Sequence, residues 1–114
     1  MDILRKEENG IITFKVNSLR IDASVVGELK DVVVKDIVEG AKIILDLNNV
    51  EYMDSTSLSV LVFFYKEAKQ KGAIFKIVTN NDKVLSIFIT TGLIRALEIV
   101  KDYDEAVKEI LEGS

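Results

Sequence analysis

Hydrophobic positions in this chain change period several times, and the changes divide it into alternating extended and helical segments. Leu4 to Glu8 is mixed and only weakly strand-like. The turn dipeptide Asn9-Gly10 is then followed by Ile11-Ile12-Thr13-Phe14-Lys15-Val16, so a hairpin of two strands is expected. Asn17-Ser18 interrupts the pattern, and Leu19-Arg20-Ile21 continues as a short extended piece up to Asp22, a residue type that caps helices well. In the helix that follows, Val26, Leu29, Val33 and Ile37 recur at spacings of three and four, and Gly40 is the stop.

Lys42-Ile43-Ile44-Leu45-Asp46-Leu47 is nearly continuous in apolar character, as a strand in the sheet interior requires. Asn48-Asn49-Val50 turns the chain, Tyr52-Met53 leads into Asp54-Ser55-Thr56-Ser57, and a helix is expected from Leu58 through Lys71 until Gly72 ends it. Ala73 to Thr79 is the next strand. Strand, helix and strand form a βαβ unit, whose strands should be parallel with a right-handed crossover. Asn80-Asn81-Asp82 opens a third helix with Val84, Leu85, Phe88 and Ile89 on its apolar side, closing at Thr91 where Gly92 can turn left-handed. Leu97 to Val100 reads as an edge strand and Asp102 to Glu112 as an amphipathic helix on Ala106, Val107, Ile110 and Leu111. No proline, repeat or low-complexity tract divides the chain. One α/β domain over residues 1–114 is expected, with a mixed sheet of four to five strands and about four helices.

Composition narrows the chemistry more than the fold. With 48% apolar and 30% charged residues the chain reads as an ordinary globular domain. Cys, His and Trp are absent, which removes thiolate and imidazole nucleophiles and bases, zinc–sulfur sites and Ser-His-Asp hydrolysis. An enzyme is not expected. A net charge of −4, without aromatic residues interleaved among basic ones, gives no footprint for nucleic acid. No apolar run of roughly 18 residues crosses a bilayer and no signal peptide opens the chain, so a cytoplasmic protein without membrane insertion is expected. The six glycines are dispersed and the carboxylates scattered, leaving no phosphate-cradling loop, no metal site and no expected cofactor. The partner left by elimination is another protein.

The polar focus is Asp54-Ser55-Thr56-Ser57, three hydroxyls and a carboxylate at a helix start, where free N–H groups and the positive end of the dipole favour an added anion. Capping alone also explains these residue types. On a wheel of about 100° per residue, Leu58, Leu61, Val62, Tyr65 and Ala68 gather on one side, assigned to the sheet. Val60, Phe63 and Phe64 fall opposite with Glu67 between them, and Thr56 lies in line with Val60, Phe63 and Glu67, whereas Ser57 turns toward the core edge. That second apolar side reads either as helix-covered or as a partner face. A phosphate at Thr56 would add roughly two charges beside it.

The segments Ile43-Ile44-Leu45-Asp46-Leu47 and Val50-Glu51-Tyr52-Met53-Asp54-Ser55-Thr56-Ser57-Leu58 resemble the anti-sigma factor antagonist family and its STAS domain. Thr91-Gly92-Leu93 is similar to the Ser-Gly-Leu that follows the third helix there, and the likeness runs over nearly the whole chain. The resemblance implies a non-catalytic binding protein that captures an anti-sigma factor acting also as a Ser/Thr kinase, and so frees a sigma factor. Phosphorylation implies release, and a phosphatase restores binding. The family's acceptor, third in Asp-Ser-Ser/Thr-Gly-Leu, falls on Thr56, with Ser57 or Ser55 as alternatives, and its Asp falls on Asp54. The family's Gly-Glu-Leu-Asp falls on Leu19-Arg20-Ile21-Asp22, which implies that Asp22 helps in kinase recognition. The expected partner-binding set is Asp22, Asp54, Ser55, Ser57, Val60, Phe63 and Phe64. Ser57 departs from the family's Gly, and the alternative reading is a non-switching STAS scaffold or accessory subunit of a regulatory or transporter-linked assembly.

Overall fold

In a computed structural model, which describes residues 1–113, the hairpin forms where Asn9-Gly10 predicts it. Strands β1 (Ile3–Glu8) and β2 (Ile11–Val16) pair antiparallel. Asn9 and Gly10 take φ of 55° and 78°, the pair of positive values that lets a two-residue turn follow the strand twist. The chain then makes a two-residue strand β3 (Arg20–Ile21), helix α1 (Val26–Val34) and strand β4 (Lys42–Asp46). Strand β5 (Tyr52–Met53), helix α2 (Ser55–Gln70) and strand β6 (Ile74–Val78) follow. Helices α3 (Asp82–Thr91) and α4 (Leu93–Ala96), strand β7 (Ile99–Val100) and helix α5 (Tyr103–Gly113) complete the order.

The main sheet runs β1-β2-β4-β6-β7 and is parallel throughout except at the β1–β2 edge. The continuous apolar run of β4 therefore occupies the centre, where Ile43, Ile44, Leu45 and Asp46 are all buried, and β4 and β6 are parallel as the βαβ pattern requires. Alternation along the strands divides their side chains between two layers. Phe14, Val16, Ile43, Leu45, Phe75 and Ile77 meet α1, α2 and α3 on one face; Ile11, Ile44 and Val78 meet Ala106 and Ile110 of α5 on the other. Strands β3 and β5 form a separate parallel pair.

Several expectations change. The first helix ends at Val34, and Ile37 is buried from the turn that follows it. Asp22 does not cap that helix: Val25 holds the N-cap position without a side-chain bond, because the Asp22 carboxylate closes its own turn onto Ser24. Helix α2 starts at Ser55 rather than Leu58, since Asp54 caps it. Ile89 and Leu111, assigned to apolar faces, are exposed; in α3 the buried residues are Val84, Leu85 and Phe88, and the chain turns at Gly92 (φ 80°) into the short α4 that no periodicity announces.

Candidate functional site

Asp54 has extended backbone geometry (φ −99°, ψ 179°) at the start of α2, and its carboxylate ties that helix start to the turn after β3. One oxygen, Oδ1, accepts from the Ser57 N–H at 2.9 Å and from the Ser57 hydroxyl at 2.8 Å; the other accepts from the Ala23 N–H at 2.9 Å. The Ser57 N–H and then its hydroxyl and the Ala23 N–H hold the Asp54 carboxyl below its ordinary pKa, against the opposing effect of desolvation. Asp22, brought alongside, is also held low, first by the Ser24 hydroxyl and then by the Ser24 N–H.

The three hydroxyls at this helix start differ sharply. Ser57 is fully buried, and its one hydroxyl proton is shared between the Ile21 carbonyl and Asp54 Oδ1, so it pins α2 to β3. Ser55 and Thr56, in the first and second helical positions, are exposed, where N–H groups have no acceptor within the helix. Ser57 is therefore corrected from a surface contact or alternative acceptor to a core fastener. A Gly could not make this link.

Ser57 also sets the rotation of α2. With it facing inward, the buried stripe is Ser57, Leu61, Phe64 and Ala68, a spacing of four, three and four. Phe64 is corrected accordingly: it is fully buried, its ring 5.6 Å from that of Phe75 on β6, and it belongs to the core rather than a partner face. Val60 and Phe63 are half-buried where α1 packs on α2, and the Lys30 ammonium lies 4.3 Å from the Phe63 ring centroid. The side that the wheel left uncovered is thus divided: Phe64 packs on β6, and Phe63 lies under Lys30 of α1.

What the chain pattern did not single out is a ledge beside the cap. The Leu19 carbonyl accepts from the Glu51 and Tyr52 N–H groups. That brings the backbone of exposed Leu19 (63%) beside that of Tyr52 (42% exposed), with the Arg20 guanidinium 4.3 Å from the Tyr52 ring centroid. Two-residue strands carry too little alternation to announce such a pairing; the exposed apolar types at 19 and 52 were the available signal.

Fold and site together define a class: an α/β domain whose polar focus is a capped helix start. Among the described residues no cluster of three metal-ligating carboxylates forms, and no helix is long and apolar enough to cross a membrane. The family model of the STAS domain matches residues 2–106. An anti-sigma-B factor antagonist of Listeria monocytogenes is 34% identical over 80 residues, covering 69% of this chain and 70% of that one. A provisionally named anti-sigma factor antagonist of Thermotoga maritima is 38% identical over 69 residues, and the match spans 60% of this chain and 61% of that relative's length. In three dimensions the chain is similar to a Thermotoga maritima crystal structure under the same provisional name, with a TM-score of 0.83 at 26% identity, covering 94% of this chain and 92% of that one. The chain belongs to the STAS-domain family of anti-sigma factor antagonists, which are non-enzymatic regulators.

Proposed function

We propose that this protein is a cytoplasmic, phosphorylation-switched binding module that captures an anti-sigma factor with Ser/Thr kinase activity and so frees a sigma factor. The observation that carries this reading is the contrast between adjacent hydroxyls: Thr56 is exposed at the second position of α2 while Ser57 is buried and engaged. Thr56 is the acceptor, and Ser55 is the other hydroxyl a kinase can reach. The unmodified partner face consists of Thr56 and Ser55 with Asp22 and Asp54 beside them, the Leu19–Tyr52 ledge, and the exposed parts of Val60 and Phe63.

The helix start accepts a phosphate without cost to the fold. A partner surface complementary to a neutral hydroxyl on a helix start that already carries the Asp54 carboxylate does not accept it, because roughly two more negative charges are desolvated there. Binding is lost and a phosphatase restores it. Incubation with the cognate kinase and ATP, followed by mass spectrometric mapping, should place one phosphate on Thr56 and none on the Thr56→Ala variant. Modification confined to Ser55 or Ser57, or none at all, refutes the assignment. A Thr56→Ala protein that loses some stability but keeps wild-type regulation in cells supports the scaffold reading instead.

A further inference from the structure

On the sheet face opposite α2, helix α5 packs over β4, β6 and β7 and reaches Ile11 of β2, leaving the end of the β1–β2 pair at Leu4 and Lys15 open. A groove of about 620 Å³ lies there, and the proposed switch uses none of it. Strand register builds its floor in two rows: Leu4, Lys15 and Asp46 side by side across β1, β2 and β4, and next to them Lys6, Thr13 and Ile44. Tyr103 of α5 forms one wall, its hydroxyl 3.0 Å from that of Thr13.

The charges in this groove are incompletely satisfied by the protein. Lys6 and Lys15 are diagonal neighbours on adjacent strands, about 7–8 Å apart at the backbone, where like charges repel. Among the described residues Lys15 forms no ion pair, and Lys6 reaches only one carboxylate, Glu8 at 3.9 Å, while its ammonium lies 5.6 Å from the Tyr103 ring centroid. Asp46 is only 7% exposed, and among the described residues its carboxylate accepts one hydrogen bond, from the Asn48 N–H to Oδ1 at 2.9 Å. No buried side-chain polar atom among the described residues lacks a partner, so the second Asp46 oxygen opens to the groove. Leu4, 56% exposed, and the Tyr103 ring supply apolar surface on either side.

We infer that this groove binds a small zwitterion. Its anionic group, phosphate or carboxylate, sits between the Lys6 and Lys15 ammonium groups. Its own ammonium donates to Asp46, and a compact apolar body lies between Leu4 and Tyr103. Each half of the ligand meets a charge that the fold leaves open, and charge-assisted hydrogen bonds are the stronger class.

The test is titration of ¹⁵N-labelled protein, followed by amide shifts, with tyramine O-phosphate and with 4-(2-aminoethyl)benzoate, which separate the phosphate and carboxylate forms. One of the two should give saturable shifts at Thr13, Lys15, Asp46 and Asn48. Its affinity should exceed by at least about tenfold that of the matching halves, phenyl phosphate or benzoate and tyramine. Lys15→Ala and Asp46→Asn should each weaken it by a similar factor. The Asn oxygen still accepts from Asn48, and Lys15 is exposed, so Lys15→Ala alone carries the comparison if Asp46→Asn melts early. Shifts that do not saturate with either zwitterion, shifts that Lys15→Ala leaves unchanged, or equal affinity for inorganic phosphate overturn the inference.

Discussion

The Ser57 hydroxyl faces the Ile21 carbonyl and the Asp54 carboxylate, whereas that of Thr56, one residue earlier, faces solvent. Replacing Ser57 by Ala leaves the Ile21 carbonyl without this donor and should cost about 1–3 kcal/mol in chemical denaturation while phosphate still reaches Thr56. An unaltered midpoint would show the link to be idle. Asp54 and Asp22 give a pH dependence of definite sign. Their folded-state pKa values lie below the ordinary carboxylate value of 3.8. Their contribution is therefore fully present above the unfolded pKa and disappears as pH falls through the folded one. The stability gap between wild type and Asp54→Asn should be constant from pH 7 to about 5 and close as pH drops below about 4; a gap that widens on acidification contradicts the hydrogen bonds described. The residue types of this cap were legible in the sequence, Asp54 as an anion at a helix start above all. That Ser57 points inward was legible only in part, because its acceptor lies 36 positions away on a two-residue strand.

Elements with sustained periodicity, such as the β4 run and the Val26, Leu29, Val33 stripe, form where the pattern places them, while short elements and helix rotation depend on contacts between distant segments. Helix α2 is the clear case, since apolar residues surround it and a wheel alone does not say which side the sheet takes. Its rotation can be tested by two neighbouring rings. Phe64→Ala empties a fully buried site and should cost about 3–5 kcal/mol, a large share of the roughly 5–15 kcal/mol of a whole domain. Phe63→Ala, at a half-buried position under Lys30, should cost about 1–2 kcal/mol. Comparable losses at both positions would return the helix to the rotation the wheel gave it. At the α3 terminus, Gly92 holds φ of 80° with nothing within 4 Å of an added Cβ. Gly92→Ala should therefore lose about 1 kcal/mol, and only through the backbone.

At the scale of the whole molecule, two unequal layers flank the sheet, and the proposed switch lies on the larger one. Among the described residues helices α1 to α4 share the face that carries α2, whereas α5 alone covers the other and is fastened by Ala106, Ile110 and the Lys76 ammonium, which is 3.1 Å from both Glu98 and Glu109. This separation makes the electrostatic switch testable apart from stability. A negative charge in the first turn of a helix is favourable by about 0.3–1 kcal/mol, so Thr56→Glu should melt at or slightly above the wild-type temperature and keep the hydrogen-exchange protection of β4 and α5. Partner binding should nevertheless fall, because the same charge faces a surface that meets Asp22 and Asp54 already. Stability and binding thus move in opposite directions, which no loss of fold can imitate. If Thr56→Glu lowers both together, the loss of binding is a loss of structure. If it lowers neither, the contact surface does not include the start of α2.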